Sequence, residues 1–238
     1  WRFDGMEPLG PDVLLSLNGA PLKSPDDLIE VMGSIGSYAA ALKTTLGDQK
    51  LDQAFKALML GLPTEADIAA ALGANVDTDK VLAARDFVRG QLGDRLRDTL
   101  LGIWNDTGES GAYEPSPAST GRRALRYAVL GLLAAGTPDT TVKLIQRELA
   151  NASNMTAEIG ALTAMLSIDA PEREQELEKF YARHKGDHLL VDKWFALNAY
   201  VAKAAKIEAL MGHPDFRLST PNRVYALIGG FTSMNLAG

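Results

Sequence analysis

Apolar residues recur every three or four positions along most of the chain, with polar residues filling the gaps between them. From Thr78 to Trp104, Val81, Ala84, Val88, Leu92, Leu96, Leu100 and Ile103 share one side, while Lys80, Asp86, Arg89, Asp94, Arg97 and Asp98 take the other. That spacing predicts one long amphipathic helix. Shorter stripes repeat the pattern: Leu51, Phe55, Leu58 and Leu62; then Met155, Ile159, Leu162 and Leu166; then Val191, Trp194, Phe195, Asn198, Val201 and Ala205. No stretch alternates in the way a half-buried strand requires.

Helix-start and helix-stop chemistry punctuates these stripes. Ser24-Pro25-Asp26-Asp27 offers a capping hydroxyl, a proline for the first turn and carboxylates near the positive end of the helix dipole. Pro63-Thr64-Glu65, Thr137-Pro138-Asp139, Ala170-Pro171-Glu172 and Thr220-Pro221-Asn222 use similar chemistry. Gly47, Gly73, Gly136, Gly186 and Gly212 stand where helices should stop, in positions suited to a left-handed cap. Asn105–Pro117 is the one long loop and the expected internal seam.

Helix pairs starting near Thr120, Met155, Leu189 and Pro221 are separated by about 32–37 residues, the spacing of helical-hairpin repeats. The repeats differ in sequence and lack the tetratricopeptide signature. The expected fold is all-α: an irregular stack of antiparallel helix pairs, a HEAT/armadillo-like right-handed superhelix.

Composition narrows the function. Hydrophobic content of 46% with 23% charged residues suits a globular protein, and a net charge of −6 with pI near 5.1 gives no footprint for nucleic acid or anionic membrane. Zero cysteines exclude disulfides and thiolate chemistry and fit a cytoplasmic protein. No apolar run approaches a membrane span, and Trp1-Arg2-Phe3-Asp4-Gly5 lacks the marks of a signal peptide. It also lacks an initiator Met, which suggests a fragment. Trp1, Phe3, Met6, Phe231, Met234 and Leu236 leave both ends without a polar cap, so apolar surface is expected there.

Candidate chemistry is sparse. His184 and His188 stand four apart, but Lys185-Gly186-Asp187 between them supplies a helix breaker and no glutamate, so no metal site is expected. His213 precedes Pro214 in a turn. Gly108-Glu109-Ser110-Gly111 is one residue short of a nucleophile elbow and reads as turn chemistry, as does the Gly33–Gly36 pair. The acidic run around Glu172–Lys179 reads as a solvated helix face. Arg122, Arg123 and Arg126 share one helix. They could bind a peptide carboxylate on a concave face, or pair internally with Asp192 or a helix C-terminus. Trp194 and Phe195 read as core anchors.

Six segments occur in an order that resembles one family: Gly61-Leu62-Pro63, Arg122-Arg123-Ala124-Leu125-Arg126, Asn154-Met155-Thr156, Val191-Asp192-Lys193-Trp194-Phe195, His213-Pro214-Asp215-Phe216, and Pro221-Asn222-Arg223-Val224 running on to Ala226-Leu227-Ile228-Gly229. From about Leu46 onward the chain is similar to the C-terminal helical domain of bacterial alanyl aminopeptidase (aminopeptidase N), a gluzincin-type zinc enzyme. Thr220, Tyr225 and Ala128 depart from the family pattern, and the chain stops before the domain's final helices. The resemblance implies an enzyme of several domains that removes N-terminal residues from peptides with one zinc ion. The zinc ligands and general base belong to its catalytic domain, so none is carried over here and this chain alone is expected to be inactive. Residues 1–45 are read as N-terminal helices after a β-domain junction, and 46–238 as a helical-repeat region incomplete at its C-terminus. Its partners would be the catalytic and β-domains of the same polypeptide and the enzyme's peptide substrates. Arg122, Arg126, Asn154, Asp192, Lys193, Asn222 and Arg223 are the candidates for cavity-lining residues or a structural network. The alternative function is an independent helical scaffold that binds a peptide or protein.

Overall fold

The computed structural model describes residues 16–17, 20–21, 25–73, 76–108 and 113–235. A two-residue antiparallel pairing joins β1 (Ser16–Leu17) to β2 (Ala20–Pro21). Every other regular element among the described residues is helical, as the periodicity predicts. The chain divides into two compact units, Trp1–Ala164 and Met165–Gly238. The Asn105–Pro117 segment therefore lies within the first unit and is not the seam. The division falls inside a helix, where no loop signal marks it.

The first unit holds α1 (Pro25–Gly47), α2 (Gln53–Met59), α3 (Glu65–Leu72), α4 (Thr78–Arg95), α5 (Arg97–Asp106), α6 (Pro117–Gly136), α7 (Pro138–Asn151) and most of α8 (Met155–Leu166). Helix α6 is its hub and packs against α2, α4, α5 and α7. The predicted stripe is buried at Val81, Val88, Leu92, Leu96 and Leu100, but it lies on two helices and not one. Leu96, at φ −96° and ψ 2°, leaves the helical basin between α4 and α5. The stripe stays in phase across that single residue, so periodicity cannot reveal the break.

Glycines set the closest approaches in this unit. A Cβ on Gly93 would lie 2.1 Å from the Leu132 carbonyl oxygen, and one on Gly136 would lie 2.3 Å from the Asp94 nitrogen. The backbones of α4 and α6 thus touch at a point only glycine permits. Gly136 is the last residue of α6, as expected, but it serves this contact and does not form a left-handed cap. Among the described glycines only Gly73 has positive φ, at 84°. Gly212 closes α11 in the right-handed region, its N–H donating to Ala209 O at 3.1 Å.

Caps follow the sequence in part. Asp52, Asp77, Ser116 and Asp187 accept backbone N–H bonds at helix starts, and Thr64 with Asp67 forms a reciprocal capping box. Proline opens α1, α6, α7, α9 and α12. Thr137 and Thr220 make no side-chain cap; the Thr137 hydroxyl donates backward to Leu133 O at 3.0 Å. Leu58, placed on an apolar stripe by its spacing, is 76% exposed, while Lys56 and Leu60 are buried instead. The buried Lys56 ammonium donates to Leu46 O at 2.9 Å and so caps the end of α1.

The second unit holds α9 (Pro171–His184), α10 (His188–Ala199), α11 (Ala204–Met211), α12 (Pro221–Val224) and α13 (Gly230–Met234), the last two joined by a π turn at Tyr225–Gly229. Helix α10 is its centre, packed on α9 and on the α12–α13 run. Val191, Trp194, Phe195 and Asn198 are buried as predicted, but α10 ends at Ala199, so the stripe stops before Val201 and Ala205. Asn235 donates to Ala199 O at 3.2 Å and to Ala202 O at 2.7 Å, capping that end.

Candidate functional site

The charged candidates fall into two separate clusters. In the first unit, Arg126 uses its whole guanidinium. Its Nε and Nη2 donate to the two carboxylate oxygens of Glu148 at 2.9 and 2.8 Å, and Nη1 donates to Trp104 O, in the last turn of α5, at 2.7 Å. Its Cζ also stacks 3.4 Å from the centre of the Trp104 ring. Tyr127 donates to the same Glu148 at 3.0 Å. A Cβ on Gly160 would lie 2.5 Å from the Tyr127 ring, so that ring lies directly over α8. Arg123 donates to Glu114 O at 2.9 Å and covers the Tyr113 ring at 4.4 Å. Among the described residues Arg122 makes only a 3.3 Å bond to the Ser119 hydroxyl, and its Nε is shut off from solvent with no acceptor.

In the second unit, Arg223 joins three segments. It donates to Asp192 of α10 at 2.8 Å, to His188 O at 3.2 Å and to Asp215 O, with its Cζ 5.6 Å from the Phe195 ring. Asp192 therefore pairs with Arg223, and the Arg126 partner is Glu148. Tyr181 donates to the Asp215 carboxylate at 2.6 Å, and that bond pushes the Tyr181 hydroxyl up to about 12. His213 Nδ1 accepts from the Asp215 N–H at 3.1 Å. Its ring sits about 5 Å from those of Tyr181 and Trp194, in an aromatic cluster that also takes in Phe195 and Phe216. Trp194 is 2% exposed, and its indole N–H has no partner among the described residues.

The remaining candidates are simpler. Asn154 caps α8, accepting from the Ala157 N–H at 2.9 Å. Lys193 and Asn222 are exposed. His184 ends α9, against Phe180, and His188 begins α10, so the two do not share a helix face. No group of three or more metal-ligating side chains converges among the described residues. A further charged cluster lies where α3 meets α4. There burial raises the Glu65 carboxyl despite Arg85 at 3.8 Å, and burial together with Arg85 pushes the Arg89 guanidinium down.

Sequence reasoning missed Glu148, Tyr181, Asp215 and the packing role of His213. Glu148 had a signal: it sits between Ile145 and Leu149 on the buried side of α7. His213 had none, because its neighbours are gathered from separate helices.

A family model described as a domain of unknown function (DUF3458_C), ARM repeats, matches residues 2–238. The chain belongs to this ARM-repeat family. It is 33% identical over 239 residues to aminopeptidase N of Caulobacter vibrioides, covering 99% of this chain and 27% of that protein. With aminopeptidase N of Escherichia coli (strain K12) it shares 31% identity, over 84% of this chain and 23% of that protein. The chain spans about a quarter of the length of these curated relatives. Its fold also resembles the crystal structure of Legionella pneumophila aminopeptidase A in complex with aspartic acid. The TM-score is 0.71 at 23% identity, over 86% of this chain and 27% of that one. The ARM-repeat match and the helical structure agree on an irregular all-α repeat fold, and the relatives are aminopeptidase N-type proteins. No helix among the described residues is long and apolar enough to cross a membrane.

Proposed function

We propose that this chain is the C-terminal helical cap region of a zinc aminopeptidase that removes N-terminal amino acids from peptides. The observation that carries the reading is coverage: similarity to aminopeptidase N runs over 99% of this chain but only 27% of that relative. A helical-repeat region of that kind contributes walls, shaping and closing the cavity that a peptide must enter. Residues 1–45 would follow a β-domain junction and 46–238 would form the cap, with the catalytic and β-domains of the same polypeptide as partners and the cytoplasm as the setting.

The residues present do not fit a catalytic zinc, which needs about three protein ligands and an open position. His184 and His188 stand on different helices, and nothing completes a third ligand among the described residues. Two of the candidate arginines are instead engaged by the chain's own carboxylates: Arg126 by Glu148, Arg223 by Asp192. Their role is to hold helix pairs in register so that the wall keeps its shape.

The test is to assay the purified 238-residue chain beside the longer polypeptide. Chromogenic aminoacyl substrates and elemental zinc analysis are the readouts. Hydrolysis and stoichiometric zinc are expected only in the longer protein. Zinc at one equivalent, or turnover that survives stringent purification of the shorter chain, would overturn the reading.

A further inference from the structure

Three arginines lie within five positions on α6, and two of them, Arg123 and Arg126, are engaged by neighbouring groups of the protein. Arg126 shows what a complete guanidinium edge looks like: Nε and Nη2 held at 2.9 and 2.8 Å by one carboxylate. Arg123 has a backbone carbonyl and an aromatic face. Arg122 is different. Among the described residues the same edge holds a single hydroxyl at 3.3 Å, and its Nε has lost water without gaining an acceptor.

A buried donor left unmade is unfavourable, and more so when it belongs to a charged group. The nearby acids do not relieve it. Glu148 already accepts from Arg126 and Tyr127, and Glu114 reaches Arg122 only through the intervening Ser119 hydroxyl. Arg122 therefore has no carboxylate within ion-pair distance among the described residues, although it is half-buried and half of its bidentate edge is unused.

We propose that Arg122 is a carboxylate-binding position. The incoming carboxylate displaces the Ser119 hydroxyl and takes Nε and Nη2 together, as Glu148 does at Arg126. Two sources have this chemistry: the C-terminal carboxylate of a peptide in the cavity, and an acidic side chain from another part of the longer polypeptide. The first rests on the aminopeptidase reading; the second does not.

The experiment uses the full-length polypeptide as wild type, Arg122→Gln, Arg122→Lys and Ser119→Ala. Hydrolysis of tetra-alanine as free acid and as C-terminal amide is measured alongside the thermal midpoint. If the peptide supplies the carboxylate, Arg122→Gln raises KM for the free acid about tenfold. KM for the amide then stays constant, and Arg122→Lys restores part of the loss. If another segment supplies it, the acid-to-amide ratio is unchanged, and the midpoint of Arg122→Gln falls well below that of Ser119→Ala, which removes only the contact seen here. A wild type that cleaves neither peptide refutes the aminopeptidase function, while the thermal comparison still decides on Arg122. An Arg122→Gln protein with unchanged peptide selectivity and an unchanged or higher midpoint overturns the proposal.

Discussion

The two units solve the same problem, fixing helices against one another, by opposite means. In the first, α4 and α6 meet through bare backbone at Gly93 and Gly136, and a single bidentate pair, Arg126 with Glu148, ties α6 to α7. In the second, α9, α10 and the turn before α12 meet through large rings, with Arg223 fanned across three segments. The first relies on absence of side chain at the crossing; the second relies on its bulk. A change of volume should therefore hurt each unit in a different direction.

The largest effect is expected in the second unit. Trp194→Ala empties the middle of the ring cluster and should lower stability by about 3–5 kcal/mol. A denaturation midpoint equal to wild type would show that the cluster carries no load. In the first unit the damaging change is an addition. Gly93→Ala drives a methyl into the Leu132 carbonyl, so its cost should reach the upper end of the range for overpacking, about 3 kcal/mol. Gly186→Ala is the control, since nothing lies within 4 Å of a Cβ there, and it should be neutral or slightly stabilising. Equal midpoints for the two variants would mean that α4 and α6 do not touch.

A smaller effect is expected from Tyr181→Phe, which deletes one bond to a carboxylate and should cost about 1.5 kcal/mol near neutral pH. Because the Tyr181 hydroxyl is held up to about 12 from an ordinary 10, the folded state keeps this proton over a range where the unfolded state loses it. Wild-type stability should thus fall as pH rises from 10 toward 12, and the Phe variant should lack that component. A parallel decline in both proteins, followed by chemical denaturation at each pH, would refute the assignment. The smallest effect belongs to Glu65. Burial raises its carboxyl above 4.5, so the folded state binds more protons than the unfolded one just above that pH, and stability declines there as pH rises. Glu65→Gln should flatten this slope; a steeper one would mean that Arg85 outweighs burial.

What the sequence could show tracks the range of the physics involved. The stripe from Val81 to Leu100 and the prolines at helix starts are local, so spacing alone exposes them. The break at Leu96 keeps the stripe in phase and stays hidden. Leu58 was misplaced because a stripe of four on a short helix has several possible phases, and tertiary packing chose the one that buries Lys56. The charged candidates were legible as residues but not as pairs. Nothing in the order of Arg126, Glu148, Asp192 and Arg223 says which acid meets which base, since each pair forms across 22 or 31 residues.

The reach of Arg223 also bears on the order of events when the chain folds. Its acceptors lie 8, 31 and 35 residues away, so the guanidinium is fully engaged only after the turn at Asp215, α10 and α12 have all arrived. Helix pairs nucleate on nearby contacts, well before such a junction can close. As a late latch, Arg223 replaced by Gln should leave the refolding rate almost unchanged and speed unfolding of the second unit, and stopped-flow refolding and unfolding rates check this.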